Sequence, residues 1–191
     1  FLAYCGLSQS LAGNFRDAKE SLGKAIRLAQ GINNVYNQMA AEGIHGMVLC
    51  HQGDGENAVP HIEKALRYSA DTGTVILQPM YHFYLGRARV LAGDCRKALE
   101  DIHRGMEIHR GMGLGEYYLS LAYLLRGQAY LDLGDLAAAQ ESLEQALKLA
   151  QGNQERMQEG IALVYLGRTL GQLDARNVKE AQQDVHQGIH I

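Results

Sequence analysis

Eight histidines and three cysteines are the residues of this chain whose types invite a chemical reading. His186 and His190 stand i, i+4 on a probable helix, a spacing that can bring both imidazoles to one face as metal ligands. No carboxylate or cysteine completes that pair within one turn at good spacing, so no metal is expected. His103 and His109 are six apart and diverge. Cys50-His51 sets a thiol beside a base only along the chain. Adjacent helical residues point about 100° apart, and nucleophilic catalysis needs the base and an orienting group gathered around the nucleophile. Cys50 reads better as a small apolar filler, and no catalytic residue is expected. The glycines are spread out rather than clustered as GxGxxG or GxxxxGK[ST], so neither a phosphate loop nor a cofactor is expected.

Composition bounds the rest. Of 191 residues, 47% are hydrophobic and 20% charged, enough apolar surface for a continuous core. A net charge of −3 does not call for nucleic acid or a membrane surface. No dense basic stripe and no apolar run of membrane-spanning length occurs. Two prolines and no tryptophan favour long helices over a sheet with turns. Cys5, Cys50 and Cys95 are odd in number and contain no CxxC pair, which fits a reducing, cytoplasmic setting. The chain begins Phe1-Leu2-Ala3-Tyr4, without an initiator Met or a basic leader, and ends inside a helical pattern at Gly188-Ile189-His190-Ile191. It is expected to be a fragment of a longer polypeptide.

The elements that would position any site repeat along the chain. Glycines Gly13, Gly53, Gly93 and Gly134 open turns at spacings of 40, 40 and 41. Seven residues before each stands another glycine: Gly6, Gly46, Gly86 and Gly127, with Gly167 continuing the series. Five after each turn glycine stands Ala18, Ala58, Ala98 or Ala139; seven further on come Ala25, Ala65, Gly105 and Ala146. Between them sits a branched apolar residue: Leu22, Ile62, Ile102 or Leu143. Ala181, Val185 and Gly188 repeat the relation after an altered turn, Gly171 to Asn177, where a local function or a junction is expected to differ.

Each copy reads as two helices around a turn. The turn glycine suits a left-handed C-cap, and the Asp or Asn after it can cap the next helix. Helices are expected near 1–12, 15–30, 34–52, 56–71, 75–92, 96–111, 115–133, 136–151, 155–172 and 177–191. A glycine inside a helix costs roughly 1 kcal/mol relative to Ala. Five would cost about 5 kcal/mol, comparable to the net stability of a small domain. Close approach of two helices, permitted by the missing Cβ, is the expected offset.

Gly127, Tyr130, Gly134-Asp135, Ala139, Leu143 and Ala146 resemble the tetratricopeptide repeat, and the first three copies match its glycines and small residues. The period of 40 to 41 exceeds the usual 34. The closing proline is absent, and the large residue early in the first helix is replaced by Leu2, Glu42, His82, Tyr123 and Leu163. Long-period repeats of this kind look like those of bacterial multidomain signalling proteins that join an array to an ATPase, a nucleotide cyclase or a DNA-binding regulator. The resemblance implies an all-α fold: a right-handed α-α superhelix of about five helix-turn-helix repeats and ten helices. One array would span 1–191, with repeats near 1–33, 34–73, 74–113, 114–153 and 154–191.

The resemblance also implies a concave groove lined by the first helix of each pair. It assigns Arg87, Gln128, Asp132, Arg168, Gln172, His51 and Phe83 to partner binding, with Arg87, Gln128 and Arg168 forming a polar track. Such a groove would hold a protein or peptide segment, its carboxylates reached by arginine. The family's clamp for acidic chaperone tails puts Lys three residues before the mid-helix glycine. Here that place holds Ala3, Gly43, Phe83, Leu124 and Val164, so no such tail is expected. The function implied is a non-enzymatic interaction scaffold or regulatory module that can self-associate through exposed array ends. The alternative is a ligand-sensing segment of a multidomain signalling ATPase, nucleotide cyclase or transcriptional regulator.

Overall fold

Gly134 takes φ +79°, the left-handed conformation that ends a helix without a Cβ penalty. Its N–H donates to Leu131 O at 3.1 Å, and the next N–H, from Asp135, reaches back to Tyr130 O at 3.0 Å. The Asp135 carboxylate then accepts from Ala138 N at 3.1 Å and caps the following helix. Gly53-Asp54 repeats this geometry, with φ +78° at Gly53 and a bond from Asn57 N to Asp54 Oδ1 of 3.2 Å. At Asn14 the expected side-chain cap is not made.

A computed structural model describes residues 1–116, 118–173 and 178–191. Its helices are α1 (Leu2–Leu11), α2 (Phe15–Gly31), α3 (Val35–His51), α4 (Gly55–Thr72), α5 (Gln78–Leu91), α6 (Cys95–Gly111), α7 (Leu119–Leu133), α8 (Leu136–Gly152), α9 (Arg156–Leu173) and α10 (Val178–His190). No strand occurs among the described residues. The all-α expectation and its ten helices hold. Two starts fall later than expected. α5 begins at Gln78 with proline in its first turn, where the missing N–H is harmless. α7 begins at Leu119, because Gly113 and Gly115 take positive φ and break the approach. The altered turn expected at Gly171 to Asn177 lies partly outside the described residues.

The chain divides into two compact units, Phe1–Asp94 and Cys95–Ile191. In the first, α3 packs on α4 and α5, and α1 on α2 and α3. Its core gathers Met39, Met47, Ile62, Tyr81 and Leu85, with Ala18, Leu22, Ile44 and Val48 beside α1. In the second, α7 packs on α8, α8 on α9 and α9 on α10. Leu124, Leu143, Leu166 and Leu170 form that core.

At the mid-helix glycines the helices of a pair approach closely. A Cβ on Gly46 would stand 2.3 Å from Ile62 Cγ1, and one on Gly127 would stand 2.6 Å from Leu143 Cγ. At Gly6 the neighbour is Leu22 Cγ at 2.8 Å, and at Gly167 it is the Ala181 carbonyl at 2.5 Å. Ile62, Leu22 and Leu143 are wholly buried. Each branched side chain occupies the space its glycine leaves open, which is the offset the sequence called for.

Candidate functional site

In the first unit the candidate residues meet where the ends of α1 and α3 face α5. His51, half-buried, has its Nδ1 3.4 Å from the Ser10 hydroxyl, and its ring meets Tyr84 edge-on with centroids 6.0 Å apart. The buried Cys50 thiol points at Tyr84 O at 3.7 Å. Arg87 is half-buried, and its charge acts on Cys50, His51 and Tyr84. Burial, helped by Arg87, holds His51 down to about 4, so the imidazole is neutral at neutral pH. Burial pushes Cys50 up to about 12 although Arg87 pulls the other way. It is a thiol, not a thiolate nucleophile. Among the described residues no carboxylate stands within ion-pair distance of Arg87.

Phe83 is placed otherwise than expected. Its side chain is 0% exposed, so it offers a groove nothing and belongs to the interior. An aromatic ring at this position gains more from full burial than from lining an open surface.

In the second unit Asp132 and Arg168 lie on neighbouring first helices of their pairs, with Arg168 Nη2 3.9 Å from Asp132 Oδ1. Both are exposed, so the pair contributes little beyond orientation. Gln128 is half-buried on α7, and Gln172 is exposed on α9. The structure thus brings Arg87 to His51 within one unit and Arg168 to Asp132 within the other.

A third group has no counterpart among the expected site residues. Glu42 is only 3% exposed, at the place the family fills with a large residue. Its Oε1 accepts from Lys64 Nζ at 2.5 Å, and its Oε2 stands 2.6 Å from His61 Nδ1. Burial acts to raise the Glu42 carboxyl; the bonds from His61 and Lys64 outweigh it and hold the group below its ordinary value. His45 packs its ring on His61 with centroids 4.1 Å apart, and its Nδ1 is buried without a hydrogen bond. Burial and the His61 charge hold His45 down to about 4, against the pull of Glu42. Glu42 and His45 are i, i+3 on α3, and the fold sets them opposite His61 and Lys64 on α4, a pairing that sequence spacing alone does not reveal.

His186 and His190 stack on α10 with centroids 5.8 Å apart. No group of three or more His, Cys, Asp or Glu suited to a metal ion occurs among the described residues. No helix, among those residues, is long and apolar enough to cross a membrane.

Comparison with known proteins bears on the same elements. The tetratricopeptide repeat family model matches residues 120–153, which hold α7, its turn and α8. No curated protein matches the chain in sequence. Among solved structures, a Signal Transduction ATPase with Numerous Domains carrying a tetratricopeptide repeat sensor, from Pyrococcus horikoshii, superposes on 99% of the chain with a TM-score of 0.73 and 14% identity. The chain spans 29% of that protein's length. A chain from Podosopora anserina described as a kinesin light chain with nearly identical tetratricopeptide-like repeats matches 99% of this one and 92% of itself, at a TM-score of 0.67 and 18% identity. A single-substitution variant of that chain gives 0.68 over the same shares. At such identities the likeness is one of fold.

Proposed function

We propose, for a chain folded as helix pairs of the tetratricopeptide repeat type, a scaffold or regulatory role in which one 1–191 array takes a partner peptide against the first helices of its pairs. Tetratricopeptide repeats are in general protein-interaction modules. The observation that carries the reading is Arg87: a half-buried guanidinium beside a neutral imidazole, with no carboxylate within ion-pair distance among the described residues. A cation removed from water gains most from a charged acceptor. A carboxylate of the incoming segment meets that need, with Tyr84 and Ser10 alongside. Arg168 serves less directly, since Asp132 already engages it. Cys5, Cys50 and Cys95 form no disulfide, which supports a cytoplasmic setting. Self-association is tested by light scattering at two concentrations.

The test of the Arg87 reading is a set of fluorescent peptides differing only in whether Asp and Glu are replaced by Asn and Gln, titrated by anisotropy. Acidic members bind more tightly, and Arg87→Glu weakens them at least tenfold with helicity unchanged. Equal binding by the variant would remove the assignment. A second reading, ligand sensing, draws its support from the likeness to the Pyrococcus horikoshii protein with its repeat sensor.

A further inference from the structure

Arg87 and Arg168 hold the same place in their repeats, one residue after the mid-helix glycines Gly86 and Gly167. Arg168 meets Asp132, 36 residues earlier near the end of α7, at 3.9 Å. The residue 36 before Arg87, near the end of α3, is His51. The slot that gives one guanidinium its counter-charge therefore gives the other an imidazole. Between α1 and α3 the same slot holds Leu11 and Met47 and carries no charge.

His51 meets few groups that titrate. From α1 the Ser10 hydroxyl, only 4% exposed, stands 3.4 Å from its Nδ1. From α5 Tyr84 meets the ring edge-on, and the Arg87 charge acts on it. Burial pushes up both Tyr84 and the neighbouring Cys50, so each stays neutral. Asp54, in the turn that follows, acts on Cys50. Burial first, and then Arg87, keep the His51 ring uncharged at neutral pH. A carboxylate seated on Arg87 cancels the second effect and sets a negative charge beside the ring. Burial by the occupant opposes the extra charge. The balance at Glu42 shows which prevails in this unit, since the bonds from His61 and Lys64 outweigh burial there.

We infer that capture of a partner's carboxylate at Arg87 is coupled to uptake of one proton by His51, so that an acidic segment is held more tightly as pH falls. The proton comes from solvent and completes the ring as an imidazolium. Its Nδ1–H donates to Ser10 Oγ, whose hydroxyl turns to accept, and its Nε2–H donates to the carboxylate. The coupling rests on the acidic-peptide reading of Arg87 and supplies its regulation. One linked proton limits the effect to about tenfold in Kd per pH unit.

The probes are the acidic fluorescent peptides of the Arg87 test, titrated by anisotropy into the full 191-residue chain at pH 7.5, 6.5 and 5.5. Peptide carboxylates stay ionised over this range, and losing their charge would weaken binding rather than strengthen it. Kd falls at least fivefold from pH 7.5 to 5.5. The His51 Cε1 proton, followed by NMR, titrates at higher pH with peptide bound than without. His51→Gln, which takes up no proton, loses the dependence; His45→Gln, whose native ring packs on His61 instead, keeps it. His51→Asp rebuilds the Asp132 type of pair, occupies Arg87 from within the chain and weakens the acidic peptides at least tenfold at every pH. Should that variant fold poorly, His51→Gln and the NMR titration decide. A Kd that stays level, or a slope that survives in His51→Gln or vanishes in His45→Gln, overturns the coupling and leaves Arg87 as the anchor. If acidic peptides bind no better than their Asn and Gln counterparts, the Arg87 reading itself falls and the coupling with it.

Discussion

Histidines set the acid response of the first unit. His45 and His51 are both held to about 4, against roughly 6.5 in an unfolded chain. Between those values the unfolded chain binds protons that the folded chain does not, so stability falls as pH drops from about 6.5 to 4 and these groups withdraw nothing further below. Both rings are half-buried, which limits the loss to on the order of 1–2 kcal/mol each. Glu42 adds to the same trend lower down: its folded value is depressed, so its contribution is present above the ordinary carboxylate range and disappears as pH falls through the folded value. Urea denaturation at pH 7, 5.5 and 4.5 checks this; His45→Gln should flatten the upper part of the slope, and an unchanged slope would mean that the ring is already charged. Glu42→Leu tests the cluster itself. It leaves Lys64 free to reach water and removes a buried charge, so at pH 7 the cost should stay under about 2 kcal/mol, well below what Lys64 loss with Glu42 retained would give. These groups were hard to read from sequence, because a buried carboxylate is recognisable only once its partners 19 and 22 residues away are known to face it. Cys50 was legible for the opposite reason, since a thiol beside a histidine on one helix cannot turn toward it.

Helix pairs answer to their glycines. Gly46→Ala should destabilise by about 1–3 kcal/mol, because the added methyl meets Ile62 at 2.3 Å and overpacking outweighs the gain in helix propensity. Gly23→Ala in α2 should do the reverse, stabilising by up to about 1 kcal/mol, since only the end of the flexible Arg27 side chain lies near, at 3.4 Å. Chemical denaturation of the two variants separates packing from propensity; the same sign for both would refute the close-approach account. Nearly every helix was legible, since the grid of glycine, alanine and branched residues marks both turn and interface. The late starts of α5 and α7 were not, because connections carry no periodic signal and the positive φ of Gly113, Gly115 and Tyr118 is a local choice of backbone. Phe83 was misjudged because a register position names a direction, and depth depends on what neighbouring helices bring.

At the scale of the molecule, stability is the sum of neighbouring interfaces rather than one core. Ile62→Ala removes a wholly buried side chain from the first unit and should cost about 2–5 kcal/mol there. Hydrogen exchange should then quicken through α3 and α4 more than through α7 and α8. Equal loss everywhere would mean a single cooperative body. The all-α fold of helix pairs was open to sequence reading at this scale, whereas the identity of a partner was not, for the groups that would recognise one are few and scattered.

In the first four copies the interval between mid-helix glycine and turn glycine is seven residues, and the single extra residue of the 41-residue period falls between α6 and α7; in the last copy Gly167 and Ala181 stand fourteen apart where the others have twelve. A branched side chain seated on a glycine fixes the height of two helices against each other, and the connection to the next pair is under no such restraint. Within the first four copies, length is thus negotiable only between pairs. A protease site or tag inserted among Gly113, Leu114 and Gly115 should be carried without loss of fold, whereas one residue deleted before Gly134 would unseat Leu143 and with it the pair.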